Sequence, residues 1–504
     1  MGAKNSTSCS RRNFLRLCGL GVTAGAIGSA GCGHEAVGGR GWLPAQYRQP
    51  ATALAALRGR VSLEEDDPAL CRDDRKCILC GQCLQVCRDA QSVYGQYELP
   101  VRDAAICVHC GQCALFCPTG AIREKDDTKR VQEALADKNR QTVLQLAPAT
   151  RVSLGEAFGL APGSITAQQH VAAWRQCGAT AVFDTAFAAD VTVWEEAAEF
   201  QQRWEKGSLP HFTSCCPAWV KFCEYFYPQW LPRLSTVKSP QQILGTLLKS
   251  EYGQKYGLRA KDVFSVAVMP CTAKKFECLR QKEAAGLQAV DAVLTVREAA
   301  ALFQRQGVAV PLLAPSEFDA PFGVASGGGR IFGARGGVSE AVVRSLWLQR
   351  AGGALPSAAL QWRQREDLKG LREAELALPE GRTLRLAAAQ GLGQARAMME
   401  ALQSGQGSWD FIEVMACPGG CVGGGGQPLS QLPPTEEGRQ ARVAAMRAQD
   451  RQDLRSSHES RDARNVYESF LGEPCGEKAE ALLHTSFQDR QQAFAAKAQP
   501  ERRL

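Results

Sequence analysis

Twenty-one cysteines stand in this chain of 504 residues, and their spacing separates those that could do chemistry from the rest. Eight belong to one motif used twice. Cys77-Ile78-Leu79-Cys80-Gly81-Gln82-Cys83-Leu84-Gln85-Val86-Cys87 returns thirty residues on as Cys107-Val108-His109-Cys110-Gly111-Gln112-Cys113-Ala114-Leu115-Phe116-Cys117, followed by Pro118. Three thiolates at this spacing grip three corners of an iron–sulfur cube. A structural zinc site needs only four thiolates and gives no reason for a doubled run. His109, inside the second run, reads as a bystander.

Five more cysteines sit in Thr213-Ser214-Cys215-Cys216-Pro217-Ala218-Trp219, in Met269-Pro270-Cys271-Thr272-Ala273-Lys274-Lys275-Phe276-Glu277 and in the stretch from Glu413 to Pro428 that holds Cys417 and Cys421. Four of these thiolates, Cys216, Cys271, Cys417 and Cys421, suffice for one further cube, which leaves Cys215 as a spare thiol. Glycines 419, 420 and 423 to 426 would let the backbone approach a bulky inorganic group. A phosphate loop is the competing reading, but Gln427-Pro428 stands where Lys-Ser/Thr is required. Gly333-Ala334-Arg335-Gly336 is a poor dinucleotide match. Lys274, three residues after Cys271, offers an ammonium to an anionic group, or is a solvated lysine. Glu196 and Glu199 share one face if their segment is helical, an arrangement also common on solvated helices.

The doubled run resembles bacterial two-cluster ferredoxins, in which the fourth cysteine of each run ligates the other cluster. Cys77, Cys80, Cys83 and Cys117 would then hold one [4Fe–4S] cube, and Cys107, Cys110, Cys113 and Cys87 the other. The order and residues of the three later motifs resemble the signature motifs of the [FeFe]-hydrogenases, of the periplasmic type, and with the ferredoxin-like part the resemblance covers most of the chain. It implies interconversion of hydrogen with protons and electrons at an H-cluster, a [4Fe–4S] cube bridged by Cys421 to a two-iron subcluster with carbonyl and cyanide ligands. It further implies that Lys274 holds a cyanide, with Met269, Met415, Pro148 and Gln241 as neighbours, and that protons pass by Cys215, Glu199, Ser235 and Glu196. Arg330, Arg335 and Ser339 stand where the family leads one to expect smaller or apolar residues, so local packing there departs from its pattern. A hydrogen sensor would lose the spare cysteine and add a signalling domain, and a hydrogenase-like assembly factor would lack the complete motifs.

The elements that must position these residues read as α/β. Val143–Ala147, Ala179–Phe183, Val263–Val268 and Phe411–Met415 are apolar runs bounded by turn residues, and two of them feed directly into cysteine motifs. Ligands outside the carboxyl ends of strands are the usual geometry of open α/β sheets. The expected organisation is an export signal (1–35), a linker (36–62), an α+β ferredoxin-like two-[4Fe–4S] domain (63–128), an α/β H-cluster domain of two lobes with open sheets (135–430), and a helical C-terminal belt (431–504). That last region resembles the small subunit of periplasmic [FeFe]-hydrogenases, here fused to the large one. In it Val466, Tyr467, Phe470 and Leu471 form a helical stripe stopped by Gly472 and Pro474, a second stripe runs through Leu482, Leu483 and Phe487, and His458 and His484 read as structural. Cys71, Cys177, Cys223, Cys278 and Cys475 match no motif and read as buried thiols.

Hydrophobic residues at 45% and charged residues at 22% describe a globular chain rather than a disordered one. No internal apolar run reaches transmembrane length. The net charge of +7 invites a nucleic-acid hypothesis, but from Ser62 to Asp127 there are 12 acidic and 7 basic residues, a net of −5. An acidic electron-entry domain favours a cationic partner such as a multihaem cytochrome c, and no nucleic acid. Ser10-Arg11-Arg12-Asn13-Phe14-Leu15-Arg16, followed by a modestly apolar stretch from Leu17 to Ile27, resembles a bacterial Tat signal. That implies a periplasmic or otherwise exported protein, with the Tat translocase and cytoplasmic H-cluster maturation factors as further partners. Membrane contact follows only if Cys32 is lipidated. An exported enzyme meets cytochromes rather than cytoplasmic ferredoxin, which favours hydrogen uptake. Replacing Arg11 and Arg12 by lysine should strand the protein in the cytoplasm, and unchanged periplasmic activity after cell fractionation would rule out the Tat signal.

Overall fold

The computed structural model describes residues 59–97, 105–280, 288–368, 370–430, 433–450 and 454–494. The segment expected to be an export signal and most of the expected linker, with Cys9, Cys18 and Cys32, lie outside the described residues. In the doubled cysteine run, equal spacing produces the same backbone twice. Leu79 and His109 both adopt positive φ, as do Gly81 and Gly111, which lead into the short helices Gln82–Asp89 and Gln112–Leu115. An antiparallel ribbon of β1 (Leu70–Arg72) and β2 (Ile122–Glu124) closes the unit over Leu84, Val86, Leu115 and Phe116.

After a helical connector, Thr128–Ala136, the strands β3 (Gln141–Leu146), β4 (Ala181–Asp184), β5 (His211–Phe212), β6 (Val263–Met269), β7 (Ala292–Thr295), β8 (Arg363–Arg365), β9 (Leu371–Ala377), β10 (Thr383–Gln390) and β11 (Phe411–Met415) form two sheets. One is parallel, ordered β4-β3-β6-β7; the other is mixed, ordered β5-β11-β10-β9-β8. The four strands expected from the sequence are present with ends shifted by a residue or two. β6 is buried at all seven positions, as a parallel strand covered on both faces must be. β5, β7 and β8 to β10 were not expected. β5 is only two residues long, and β9 alternates charged with apolar residues while β10 carries Arg385, because an antiparallel pair can leave one face to water.

The helix Thr185–Glu205, whose first turn is capped by the Asp184 side chain on the Ala186 N–H at 2.7 Å, runs between two apolar clusters. Phe187 and Val191 pack into one of them, Val193, Ala197 and Phe200 into the other. Burial on both sides is why Glu195, Glu196 and Glu199 are enclosed rather than solvated. The C-terminal region adds the helix Glu436–Asp450, from which Arg442 reaches Glu156 at 2.6 Å and the Val422 carbonyl at 2.9 Å. The stripe at Val466 lies in the helix Arg461–Val466, which widens into a π-turn over Tyr467–Leu471 and stops at Gly472. The second stripe is cut short: its helix, Glu477–Leu483, ends before Phe487.

The glycine-rich loop after Cys421 has close protein neighbours of its own. A Cβ on Gly424 would fall on the Pro270 carbonyl, one on Gly425 on the Cys110 carbonyl and Gly111, and one on Gly426 against Thr295. The loop thus joins the ferredoxin-like unit to the strand ends of the parallel sheet. Gln112 Nε2 bonded to the Gly423 carbonyl at 2.8 Å, and Thr272 Oγ1 bonded to the His109 carbonyl at 2.6 Å, complete the seam. Gly425→Ala should therefore cost about 1–3 kcal/mol by overpacking a backbone that cannot yield. Gly353→Ala, with open space around its Cβ, should be nearly neutral, and urea unfolding midpoints of the two variants make the comparison.

Candidate active site

The expected ligand cysteines fall into three cavities. Cys77, Cys80, Cys83 and Cys117 line the outermost, beside exposed Ile78 and Leu79. Cys87, Cys107, Cys110 and Cys113 line the second. The crossing of Cys87 and Cys117 between runs is therefore present in the tertiary structure. Cys216, Cys271, Cys417 and Cys421, with Cys215, line the third, which has some 750 Å³ of atom-free space including its mouth, within the range of cofactor sites. Adjacent cavities are electrostatic neighbours: Cys83 acts on Cys113, and Cys110 acts on Cys417.

The donor set fits thiolate-bound iron. Burial, reinforced by the neighbouring sulfurs, pushes Cys271 and Cys421 up to about 12 and holds Cys417 well above the ordinary thiol range. In the second cavity burial pushes Cys87 up to about 12 and holds Cys110 and Cys113 well above the ordinary thiol range. Buried thiols so crowded cannot ionise together unless cations stand among them. Cys107 differs, because the His109 imidazole outweighs the burial that would raise its pKa. His109 is consequently no bystander. It is buried, its Nδ1 lies 3.2 Å from Asp67 Oδ2, and its Nε2 lies 2.6 Å from Lys221 Nζ.

The third cavity is built from the carboxyl ends of strands in both sheets. Pro148 follows β3 and Cys271 follows β6, adjacent strands of the parallel sheet; Cys215 and Cys216 follow β5, and Cys417 follows β11 beside it. Pro148, Gln241, Met269, Met415 and Lys274 all line it, as do Phe332 and Gly333, which sequence reasoning did not single out as site residues. Lys274 is not a solvated lysine. Its Nζ donates to the Cys215 carbonyl at 3.1 Å and to Glu277 Oε2 at 2.9 Å. Burial opposes its charge, yet Glu277 and the nearby cysteines prevail and raise its pKa. Glu277 also accepts from Ser239 Oγ at 2.8 Å and Gln241 Nε2 at 3.1 Å, while Gln241 Oε1, buried, has no partner among the described residues. The i,i+3 spacing of Lys274 and Glu277 was the signal that could have found this pair. Around Arg330, Arg335 and Ser339, Gly336 and Ser339 donate backbone N–H bonds to buried Glu413, and Arg335 accepts Arg447 through its carbonyl.

The acidic residues stand in a different order from the one implied by resemblance, Cys215, Glu199, Ser235, Glu196. Glu196 is the inner carboxylate: it is buried, meets His211 Nε2 at 3.4 Å, and is the strongest charged neighbour raising Cys215 after burial itself. Glu199 is the outer one. It accepts from Ser235 Oγ at 2.7 Å, from Thr236 Oγ1 at 2.9 Å and from Arg203 Nη2 at 2.7 Å. Residue 196 faces inward because it lies nearly one turn before Glu199, toward the end of the helix nearer the cysteine loop. Burial raises the Glu196 pKa more than His211 lowers it; for Glu199 burial is outweighed by His211, Arg203 and its hydrogen bonds, and the pKa falls. The Cys215 thiol is held well above its ordinary value of about 8.5 by burial and Glu196. Arg203 was signalled by its i,i+4 relation to Glu199, whereas His211 and Thr236 carry no local signal.

Comparison with known proteins agrees with this geometry. Residues 140–425 match the family described as the iron only hydrogenase large subunit, C-terminal domain, residues 436–490 the iron hydrogenase small subunit, and residues 100–123 a 4Fe-4S binding domain. The chain is 38% identical over 446 residues to the NADP-reducing hydrogenase subunit HndD of Solidesulfovibrio fructosivorans, covering 84% of this chain and 75% of that one. It is 38% identical over 364 residues to the periplasmic [Fe] hydrogenase large subunit of Nitratidesulfovibrio vulgaris, covering 71% and 86%. The solved apo [FeFe]-hydrogenase HydA1 of Chlamydomonas reinhardtii superposes with a TM-score of 0.66 at 36% identity, over 72% of this chain and 99% of that one. Matching motifs, cavities and relatives together place the chain in the [FeFe]-hydrogenase family, as an oxidoreductase of hydrogen whose cofactors are [4Fe–4S] clusters and the H-cluster.

Proposed function

We propose that this chain is an exported hydrogenase that oxidises hydrogen in the bacterial periplasm and delivers the electrons through two [4Fe–4S] cubes to a cationic c-type cytochrome. The observation that carries this reading is the succession of three cysteine-lined cavities, from exposed Cys80 to buried Cys417, each sharing sulfur neighbours with the next. Cys77, Cys80, Cys83 and Cys117 hold the outer cube, Cys87, Cys107, Cys110 and Cys113 the inner one. Cys216, Cys271, Cys417 and Cys421 would hold the H-cluster, Cys421 serving both its cube and its two-iron part. When bound, that group supplies the iron at which hydrogen is split or formed.

The residues of the chain orient the group and move the protons. Lys274, fixed by Glu277 and the Cys215 carbonyl, presents an ammonium to an anionic ligand, and Pro148, Gln241, Met269 and Met415 shape the wall. The proton path runs from Cys215 to Glu196, Ser235 and Glu199. Glu196, with its raised pKa, is a competent first acceptor, while Glu199, with its lowered pKa, transmits a proton rather than keeping it. The region 431–504 is a small-subunit equivalent carried on the same chain, a helical belt over the domain 135–430. The twin arginines and the 63–128 segment's net charge of −5 over Ser62 to Asp127 support export and a Lys-rich partner. The Tat translocase and cytoplasmic maturation factors complete the partners.

Cys215→Ala should leave iron content and the carbonyl and cyanide infrared bands intact while lowering hydrogen oxidation and evolution by about 10²–10⁴, the usual worth of a positioned acid–base group. Cys216→Ala should remove iron along with activity. Near wild-type turnover by Cys215→Ala would break the relay. Electron transfer to a cationic cytochrome c should slow as salt rises while viologen reduction stays level. An equal response of both acceptors would remove the electrostatic argument.

A further inference from the structure

The outer end of the relay presents a problem of acid–base chemistry. Glu199 faces Arg203, whose guanidinium has no acceptor and does not deprotonate in proteins, so a proton arriving at Glu199 cannot continue through that side chain. A second neighbour can take it. Thr236 Oγ1 lies 2.9 Å from Glu199 Oε1 and 2.8 Å from His484 Nδ1, and His484 Nε2 lies 3.1 Å from Glu195 Oε2. The imidazole is set in place by backbone: Val237 bridges antiparallel to His484, Lys238 N–H donates to the Leu483 carbonyl at 2.7 Å, and Thr485 N–H donates to the Thr236 carbonyl at 2.7 Å. Both ends of the wire reach the surface only slightly, with Glu199 and His484 side chains 10% and 12% exposed, whereas Glu195 is fully buried.

We propose that His484, coupled to Glu199 through the Thr236 hydroxyl, is a proton outlet of the relay, so that the C-terminal region contributes a group to the hydrogen reaction. This rests on the relay reading above. The protons balance as follows. With Glu199 protonated and His484 neutral, Glu199 donates to Thr236 Oγ1, the Thr236 hydroxyl donates to Nδ1, and Nε2–H donates to Glu195. Glu199 then releases its proton to the threonine oxygen as the threonine passes its own to Nδ1. The result is a Glu199 carboxylate, an intact hydroxyl now donating to it, and an imidazolium donating from both nitrogens, to Thr236 and Glu195. The imidazolium, at the slightly exposed rim, gives its Nδ1 proton to solvent, keeps Nε2–H on Glu195, and the hydroxyl turns back to donate to Nδ1.

The charged groups around the imidazole suit this role. The long helix supplies Glu195 and Glu199, carboxylates that flank the imidazole, one directly and one through Thr236, with Arg203 paired to Glu199. Glu480 stands one turn back on the helix that His484 caps; Cys475 lies beside the imidazole, its N–H donating at 2.7 Å to the same Glu195 oxygen that faces His484, and Tyr467 donates at 2.6 Å to the other oxygen. Glu195 is thereby fixed as a counter-carboxylate, saturated by donors and not itself needed to carry the proton.

The test uses the full-length, cofactor-loaded enzyme. Thr236→Val and His484→Ala, each checked for wild-type iron content and infrared bands, should lower hydrogen oxidation and evolution with dyes by about tenfold, less than a sole acid–base group because another exit can leak. Thr236→Ser should stay within about twofold of wild type, since it keeps the hydroxyl. Added imidazole should restore His484→Ala but not Thr236→Val, a rescue that a merely structural histidine would not show. If His484→Ala loses clusters, His484→Gln, which keeps an amide donor toward Glu195, takes its place and should be equally slow. Wild-type rates in both Thr236→Val and the His484 variant, beside an inactive Glu199→Gln, would overturn the outlet and leave the relay standing. An active Glu199→Gln would overturn the relay itself, and the outlet with it.

Discussion

Buried sulfur without water is the constraint around which this molecule is organised. A thiolate in an apolar interior is strongly disfavoured, and several within reach of one another more so, which is why burial and mutual repulsion raise Cys87, Cys110, Cys113, Cys271, Cys417 and Cys421 together. Such a cluster is tolerable only where cationic metal shares the space. The cavities that gather these residues, and the rigid backbone that encloses them, are therefore features of a protein that completes its fold around its cofactors.

Holding the sulfurs in register is the work of two sheets whose strand ends converge. β3 and β6 lie side by side at the centre of the parallel sheet, β5 and β11 side by side at one edge of the mixed one, and the loops leaving these four strands supply the wall of one cavity. The glycine-rich loop fastens that wall to the ferredoxin-like unit at a distance that no side chain would permit, with Gly425 against Cys110 and Gly111. Close backbone approach has an electronic consequence. Sulfurs of the second and third cavities become neighbours, and electron transfer falls steeply with distance, so the seam that stabilises the contact between the two parts also shortens the path between them.

The helix Thr185–Glu205 does for charge what the sheets do for sulfur. Enclosed by apolar clusters on two sides, it carries three glutamates into the interior at 195, 196 and 199, and each meets a different set of donors. Glu196 has only a distant imidazole and keeps its proton readily; Glu199 has a guanidinium and two hydroxyls and does not; Glu195 is satisfied by Tyr467, Cys475 and His484 of the C-terminal region. Glu196 and Glu199, one turn apart, thus acquire opposite shifts in acidity from their tertiary neighbours.

The sequence by itself determined which atoms could bind iron. Cysteine spacing within a run is local, so Cys77 to Cys87 and Cys107 to Cys117 announce their chemistry, and their identical pattern imposes the same left-handed residues and short helices twice. The mostly apolar runs of β3, β6 and β11 were legible because a buried parallel strand needs no alternation, whereas β9 was masked by its charged residues and β10 by Arg385. What only the tertiary structure decided was everything set by contacts distant in sequence: that His109 meets Lys221 across 112 residues, that Glu196 and not Glu199 faces Cys215, and that a histidine 285 positions beyond Glu199 shares a threonine with it. Side-chain acidity and proton connectivity depend on distance and desolvation in space, and no spacing along the chain encodes those.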